Sequence, residues 1–159
     1  FFDFFHYVLS MSIKILFING PNLNLLGERE QSQYGTVTYK ELKELCVKKS
    51  NELNIKLEFV QSNIEGEIVT WIQNAMDKHD GIIINAAGLT HTSVSIRDAL
   101  QIFKKPKVEL HISNIYKREE FRNKSLISDV VNGGIFGLGS SGYILAIMAI
   151  HKILKNENK

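Results

Sequence analysis

Five short apolar, β-branched runs, at 13–18, 55–61, 82–85, 107–112 and 134–138, alternate with helical periodicity at 39–53, 65–79, 93–103 and 140–155. That alternation is the tightest constraint on the fold. Strands separated only by helices pair in parallel, because a parallel neighbour needs a crossover of a dozen or more residues. A parallel sheet is then covered on both faces. The predicted class is α/β, a flavodoxin-like doubly wound five-stranded parallel sheet of order 2-1-3-4-5. Local signals agree. Thr38 with Glu41 fits a capping box for the first helix, Asn54 closes it, Asp80-Gly81 closes the second, and Thr92 or Ser93 caps the third.

A chain of 159 residues suffices for one domain with a core and is short for two. Its aromatic-rich start, Phe1 to Ser10, lacks the basic opening and small-residue cleavage site of a signal peptide. Met11-Ser12 resembles a natural start. Residues 1–10 are therefore expected to be a non-native or upstream extension, and 11–159 a single catalytic domain. The formal charge of +2 is too small to argue for a nucleic-acid or membrane surface. No apolar run reaches the roughly 18 residues of a membrane span. Cys46, the single cysteine, excludes an internal disulfide; it is placed with Leu42, Leu45 and Leu53 on an apolar helix face as a core thiol.

In an open parallel sheet, ligands bind beyond the carboxyl ends of the strands, near the reversal of strand order. Three loops should meet there: 19–37, 85–93 and 111–122. They are also the loops richest in functional side chains. The first, Asn19-Gly20-Pro21-Asn22-Leu23-Asn24-Leu25-Leu26-Gly27-Glu28-Arg29-Glu30, closed by Tyr34-Gly35, has neither G-x-G-x-x-G nor G-K-[ST] spacing, so it is not a phosphate cradle. It supplies side chains instead: the amide of Asn22, the cation of Arg29 and the phenol of Tyr34.

In the second loop, Asn85 and His91 are compatible with a turn residue and a solvated histidine as well as with ligand binding. Strand four is more specific. Period-two alternation puts Glu109 and His111 on one face, about 7 Å apart along the strand. A buried carboxylate beside an imidazole is costly without a task, and it stabilises the protonated, acid form of the ring. The charged stretch Tyr116 to Arg122 reads either as a solvated helical turn or, through its two arginines, as a contact for an anion. The glycine-rich piece Gly133 to Tyr143 matches neither P-loop nor G-x-S-x-G spacing and reads as a last strand turning into its helix. No metal-type cluster is present.

Taken together, Asn19-Gly20-Pro21-Asn22-Leu23, Arg29-Glu30 with Tyr34-Gly35, Asn85 with Gly88-Leu89-Thr90-His91-Thr92-Ser93, Glu109 to Asn114, and Arg118-Glu119-Glu120-Phe121-Arg122 resemble type II 3-dehydroquinate dehydratase. The resemblance runs from about Ile13 to Lys155, in order and with the expected spacings. One departure is Gln31, where the family usually has proline. That change leaves the loop between Gly27 and Tyr34 freer and removes no functional side chain.

The resemblance implies anti elimination of water from 3-dehydroquinate to give 3-dehydroshikimate through an enolate, in aromatic biosynthesis by the shikimate pathway or in quinate breakdown. It implies a cytoplasmic hydro-lyase that needs no cofactor and assembles as a homododecamer, a tetramer of trimers. By matching positions, Tyr34 is the base, Arg29 its activator, His111 the acid with Glu109 beside it, and Asn22 the holder of a water against the enolate oxygen. Asn85, His91, Asp98, Ile112, Ser113 and Arg122 bind the substrate's hydroxyls and carboxylate. The chemistry is coherent. A phenol with an ordinary pKa of about 10 is protonated at neutral pH, and a guanidinium within about 4–6 Å favours the phenolate. A Schiff-base lysine must be buried, and the lysines are expected in exposed helices, strand edges or the terminus. Two other readings stand beside this one. A flavin- or nucleotide-binding module would need a phosphate loop after strand one, which is absent. A catalytically dead interaction protein would have lost site residues, and every expected position is filled.

Overall fold

The computed structural model describes residues 12–157, so the expectation for residues 1–10 lies outside the described residues. Five parallel strands form one sheet: β1 (Ile13–Asn19), β2 (Ile55–Gln61), β3 (Gly81–Asn85), β4 (Lys107–His111) and β5 (Gly133–Phe136). Their order is β2-β1-β3-β4-β5, as expected. The helices are α1 (Gln31–Tyr34), α2 (Tyr39–Glu52), α3 (Glu65–Lys78), α4 (Val94–Ile102) and α5 (Ser141–Glu157). The capping box at Thr38 and Glu41 forms, Ser93 rather than Thr92 caps α4, and Asn54 follows α2 at a left-handed φ of 55°. Strand β5 stops two residues earlier than its apolar run, because Gly137 at φ 79° turns the chain out of the sheet.

Alternate side chains of the central strands feed two cores. Ile15, Phe17, Ile83, Val108 and Leu110 pack with Leu42 and Cys46 of α2 and with Tyr143, Ile147 and Ile150 of α5. Leu16, Ile18, Ile82 and Ile84 pack on the other face with Ile68 and Ile72 of α3 and Ile96 and Leu100 of α4. Both faces are thereby dry, as a parallel sheet requires. Leu45 departs from expectation. It is 46% exposed, because consecutive helical residues are about 100° apart and the core stripe is centred on Leu42, Cys46 and Leu53. Cys46 is fully buried, and burial pushes its thiol up to about 12, which suits packing rather than nucleophilic work. Lys107 also departs. It is buried at the start of β4, and its ammonium donates to the carbonyls of Phe103, at the end of α4, and Lys105. It sits four residues, about 13 Å, before the functional end of its strand, so it caps a helix instead of facing a ligand.

The carboxyl ends of β1 and β3 are joined in register, Asn19 opposite Asn85. The Gly20 N–H continues the ladder to the Asn85 carbonyl at 2.8 Å. A Cβ on Gly20 would meet that neighbour's backbone, 2.5 Å from the Ala86 oxygen, so this crossing admits only glycine. The Tyr143 phenol, fully buried, bridges the pair. It donates to Asn19 Oδ1 at 2.8 Å and accepts from Asn85 Nδ2 at 3.0 Å. Tyr143→Phe should therefore leave two buried amide groups unsatisfied and lower stability by about 1–3 kcal/mol in a denaturant titration. An unchanged midpoint would show that the bridge is replaceable.

Candidate active site

The three loops converge as expected. They enclose a cleft of about 590 Å³, including its open mouth, at the carboxyl end of β1, β3 and β4. That size suits a small molecule. The loop after β1 contributes Asn22, Arg29 and Tyr34; the loop after β3 contributes Asn85 and His91; the end of β4 and its loop contribute His111, Ile112, Ser113, Arg118 and Arg122. Three guanidiniums line the cleft and no carboxylate does, so the ligand it fits is an anion.

Each group is held by its local structure. Asn22 turns the chain at φ 68°, the left-handed conformation asparagine tolerates, and its N–H donates to Asn63 Oδ1 at 2.9 Å. The four-residue helix α1 ends in Tyr34, and Gly35 at φ 77° releases the chain from it. Gln31 occupies the first position of α1 and donates from Nε2 to the Gly27 carbonyl at 3.0 Å, so this side chain ties the start of α1 back to Gly27, where a freer loop was expected. Asn85 is fixed by Tyr143 and accepts the Ala87 N–H at 3.1 Å. His91 bonds through Nδ1 to the Lys124 carbonyl at 2.7 Å, and its ring stacks on that of His111 at 6.3 Å.

On β4, Glu109 is completely buried and His111 nearly so; His111 Nε2 lies 2.8 Å from Glu109 Oε1. The pair predicted from strand alternation is thus a direct hydrogen bond. Glu109 does not line the cleft but stands behind His111, where it can orient the ring without touching a ligand.

Arg29 and Tyr34 come together, with the guanidinium carbon 4.7 Å from the ring centroid. The phenolic oxygen has a different partner. Arg118 donates to it from Nη1 at 2.7 Å, and the same nitrogen lies 3.5 Å from Ser113 Oγ. Sequence reasoning marked Arg118 only as one of two arginines suited to an anion. The signal that locates its role is spatial, since 84 residues separate it from Tyr34. Asp98 is not brought to the cleft. It is exposed on α4, 3.6 Å from the Arg97 guanidinium, which is itself bound to Asp129 at 2.7 Å. Among the described residues no group of three or more histidines, cysteines and carboxylates could hold a metal ion, and no helix is long and apolar enough to cross a membrane.

Residues 13–151 match the family described as dehydroquinase class II. The chain is 52% identical over 141 residues to a 3-dehydroquinate dehydratase of Campylobacter jejuni, covering 89% of each. It is 53% identical over 138 residues to one of Dictyoglomus turgidum, covering 87% of this chain and 95% of that one. The chain belongs to the class II dehydroquinase family. Among solved structures, the type II dehydroquinase of Butyrivibrio crossotus superposes with a TM-score of 0.86 at 47% identity, covering 87% of this chain and 97% of that one. That of Propionibacterium acnes gives 0.86 at 42%, covering 89% and 98%.

In this dehydroquinase-family chain, Arg118 fastens the loop of Tyr34 to the loop after β4. Arg118→Ala should accordingly speed backbone hydrogen exchange across Gln31–Gly35 at least severalfold, with β1 and β3 unchanged. Unaltered exchange at Tyr34 and its neighbours would confine Arg118 to ligand binding.

Proposed function

We infer that the chain is a hydro-lyase that converts 3-dehydroquinate to 3-dehydroshikimate by anti elimination through an enolate. The observation that carries this reading is the content of one cleft: a phenol bonded by a guanidinium and an imidazole bonded by a buried carboxylate, among three arginines and no acid. Tyr34 takes the C2 proton. A base at this position must be a phenolate, and the Arg118 donor on its oxygen with Arg29 across its ring places two cations beside it. Charge developing on the enolate oxygen is met by the water that Asn22 holds, inside a cleft where fixed donors count for more than in bulk water. His111, oriented by Glu109, gives the proton that the departing C1 hydroxyl needs. Asn85, His91, the Ile112–Ser113 segment and Arg122 bind the remaining hydroxyls and the carboxylate. The pathway this serves is aromatic biosynthesis or quinate breakdown, in the cytoplasm.

Asp98 joins the substrate contacts only from a second copy. It stands on a face of α4 between Val94 and Ile102, four residues to either side and both exposed apolar side chains. An apolar face around a carboxylate suits burial against a neighbouring chain. This supports the homododecamer, a tetramer of trimers, in which α4 of one copy borders the cleft of the next. Light scattering should give about twelve times the 18.1 kDa chain mass. A stable monomer with full activity would remove both the assembly and the role of Asp98.

The activity is tested by the rise in absorbance of the conjugated enone product. Tyr34→Phe should lower kcat by at least ~10²-fold while leaving KM within a few-fold, because it removes the base and keeps the ring. A near-normal rate would sink the assignment of Tyr34.

A further inference from the structure

The segment after the last cleft arginine, residues 124–128, does not line the cleft, yet it bonds one cleft histidine, His91, and reaches the other, His111, through Glu109. Ser125 Oγ donates to Glu109 Oε1 at 2.7 Å, and Ser128 Oγ to Glu109 Oε2 at 2.5 Å. Ser125 has no freedom to reverse its bond. Its oxygen accepts the N–H groups of Ile127 and Ser128, both at 3.2 Å, so its hydrogen points at the carboxylate. One residue earlier, the Lys124 carbonyl meets His91 Nδ1. A carbonyl only accepts, so His91 carries its proton on Nδ1 and turns a bare Nε2 away from the segment. The Leu126 N–H, bonded to the Thr90 carbonyl at 2.8 Å, pins the segment to the loop after β3.

We propose that Lys124–Ser128 is a clasp that sets the working proton positions of both imidazoles, with Ser125 and Ser128 as positioning residues for the acid. This rests on the reading of His111 as the acid. Glu109 receives two hydroxyl donors, one on each oxygen, which hold it as the ionised acceptor. Its remaining bond is then taken from His111 Nε2–H, so the proton given to the departing hydroxide is the one the doubly protonated ring carries on Nδ1, and the ring is left neutral with Nε2–H. The stacked rings divide the labour, one able to give a proton and one to accept a hydrogen bond. Burial alone would push the Glu109 carboxyl up. Hydrogen bonds from His111, Ser128 and Ser125 outweigh it and hold the group below the usual carboxylate range. Burial likewise lowers the pKa of His91, with His111 and Arg122 adding to it against the Lys124 carbonyl and Glu109. The charged or titratable groups facing this pair are His111 on β4, His91 on the loop after β3 and Arg122 beyond it. The neighbouring strands offer Ile84 and Gly134 at the level of Glu109.

The sign follows directly. A carboxylate with a lowered pKa keeps its charge as pH falls until that lowered value is reached, so the acid stays oriented well into acidic solution. Without the hydroxyls, burial prevails and the charge is lost at higher pH. In the full chain, Ser125→Ala and Ser128→Ala should each lower kcat roughly tenfold and the double variant about 10²-fold, with KM within about threefold. The acidic limb of the double variant's pH–rate profile should move to higher pH, and Ser128→Thr, which keeps the hydroxyl, should restore most of the rate. Nitrogen-15 NMR of labelled histidines should show Nε2–H on His111 and Nδ1–H on His91 in the unaltered chain. A folded double variant with unchanged kcat and profile would overturn the clasp, as would a neutral His111 protonated only on Nδ1. The NMR reading decides the matter even if the double variant does not fold. Normal turnover in His111→Ala would instead overturn the acid assignment, with the NMR pattern still reporting on the clasp itself.

Discussion

The in-register pairing of β1 with β3 is the constraint on which the cleft depends. At this junction the strand order reverses, so the loops leaving the two strands depart to opposite sides and leave a gap between them. Asn19 and Asn85 stand opposite each other at the rim. A shift of one residue would turn both to the wrong face and bury their amides among aliphatic side chains. Glycine at position 20 lets the two backbones cross, and the Tyr143 phenol satisfies the amides from below. The cleft floor is therefore part of the core's hydrogen bonding and has its rigidity.

Against that floor, the proposed acid and base are supported differently. His111 sits on a strand, next to a carboxylate with no access to water. Tyr34 sits on one turn of helix between two glycines at positive φ, Gly27 and Gly35, and its firmest tie to the rest of the protein is a single arginine. One partner is fixed and the other is delivered by a segment free to hinge. A site built this way can admit a ligand and then enclose it.

Much of this was legible in the chain. Strand order, both covered faces, the capping box and the meeting of three loops follow from periodicity and from the rule that parallel sheets bind ligands at their carboxyl ends. The Glu109–His111 pair follows from alternation alone. What escaped is non-local. The partnership of Arg118 with Tyr34 joins loops 84 residues apart in the chain, and a charged run resembling a solvated turn carries no mark of it. Asp98 matches a motif position, but the fold leaves it exposed on α4 and outside the cleft, which no motif spacing announces. Lys107 looks like a strand-edge lysine until the end of α4 is folded over it. The serines near Glu109 sit in a segment of ordinary loop composition, and only the third dimension gives them a target.

The Tyr143 bridge also bears on the order in which the molecule can be made. All three loops of the cleft, and every residue that lines it, are synthesised before position 123. The group that completes the floor comes twenty residues later, on the final helix. A nascent chain that has already emerged with its full set of reactive side chains thus still has two open amides where the strands diverge. The hydrogen bonding of the floor is closed only when α5 packs onto the sheet, so the base of the cleft is finished after its walls.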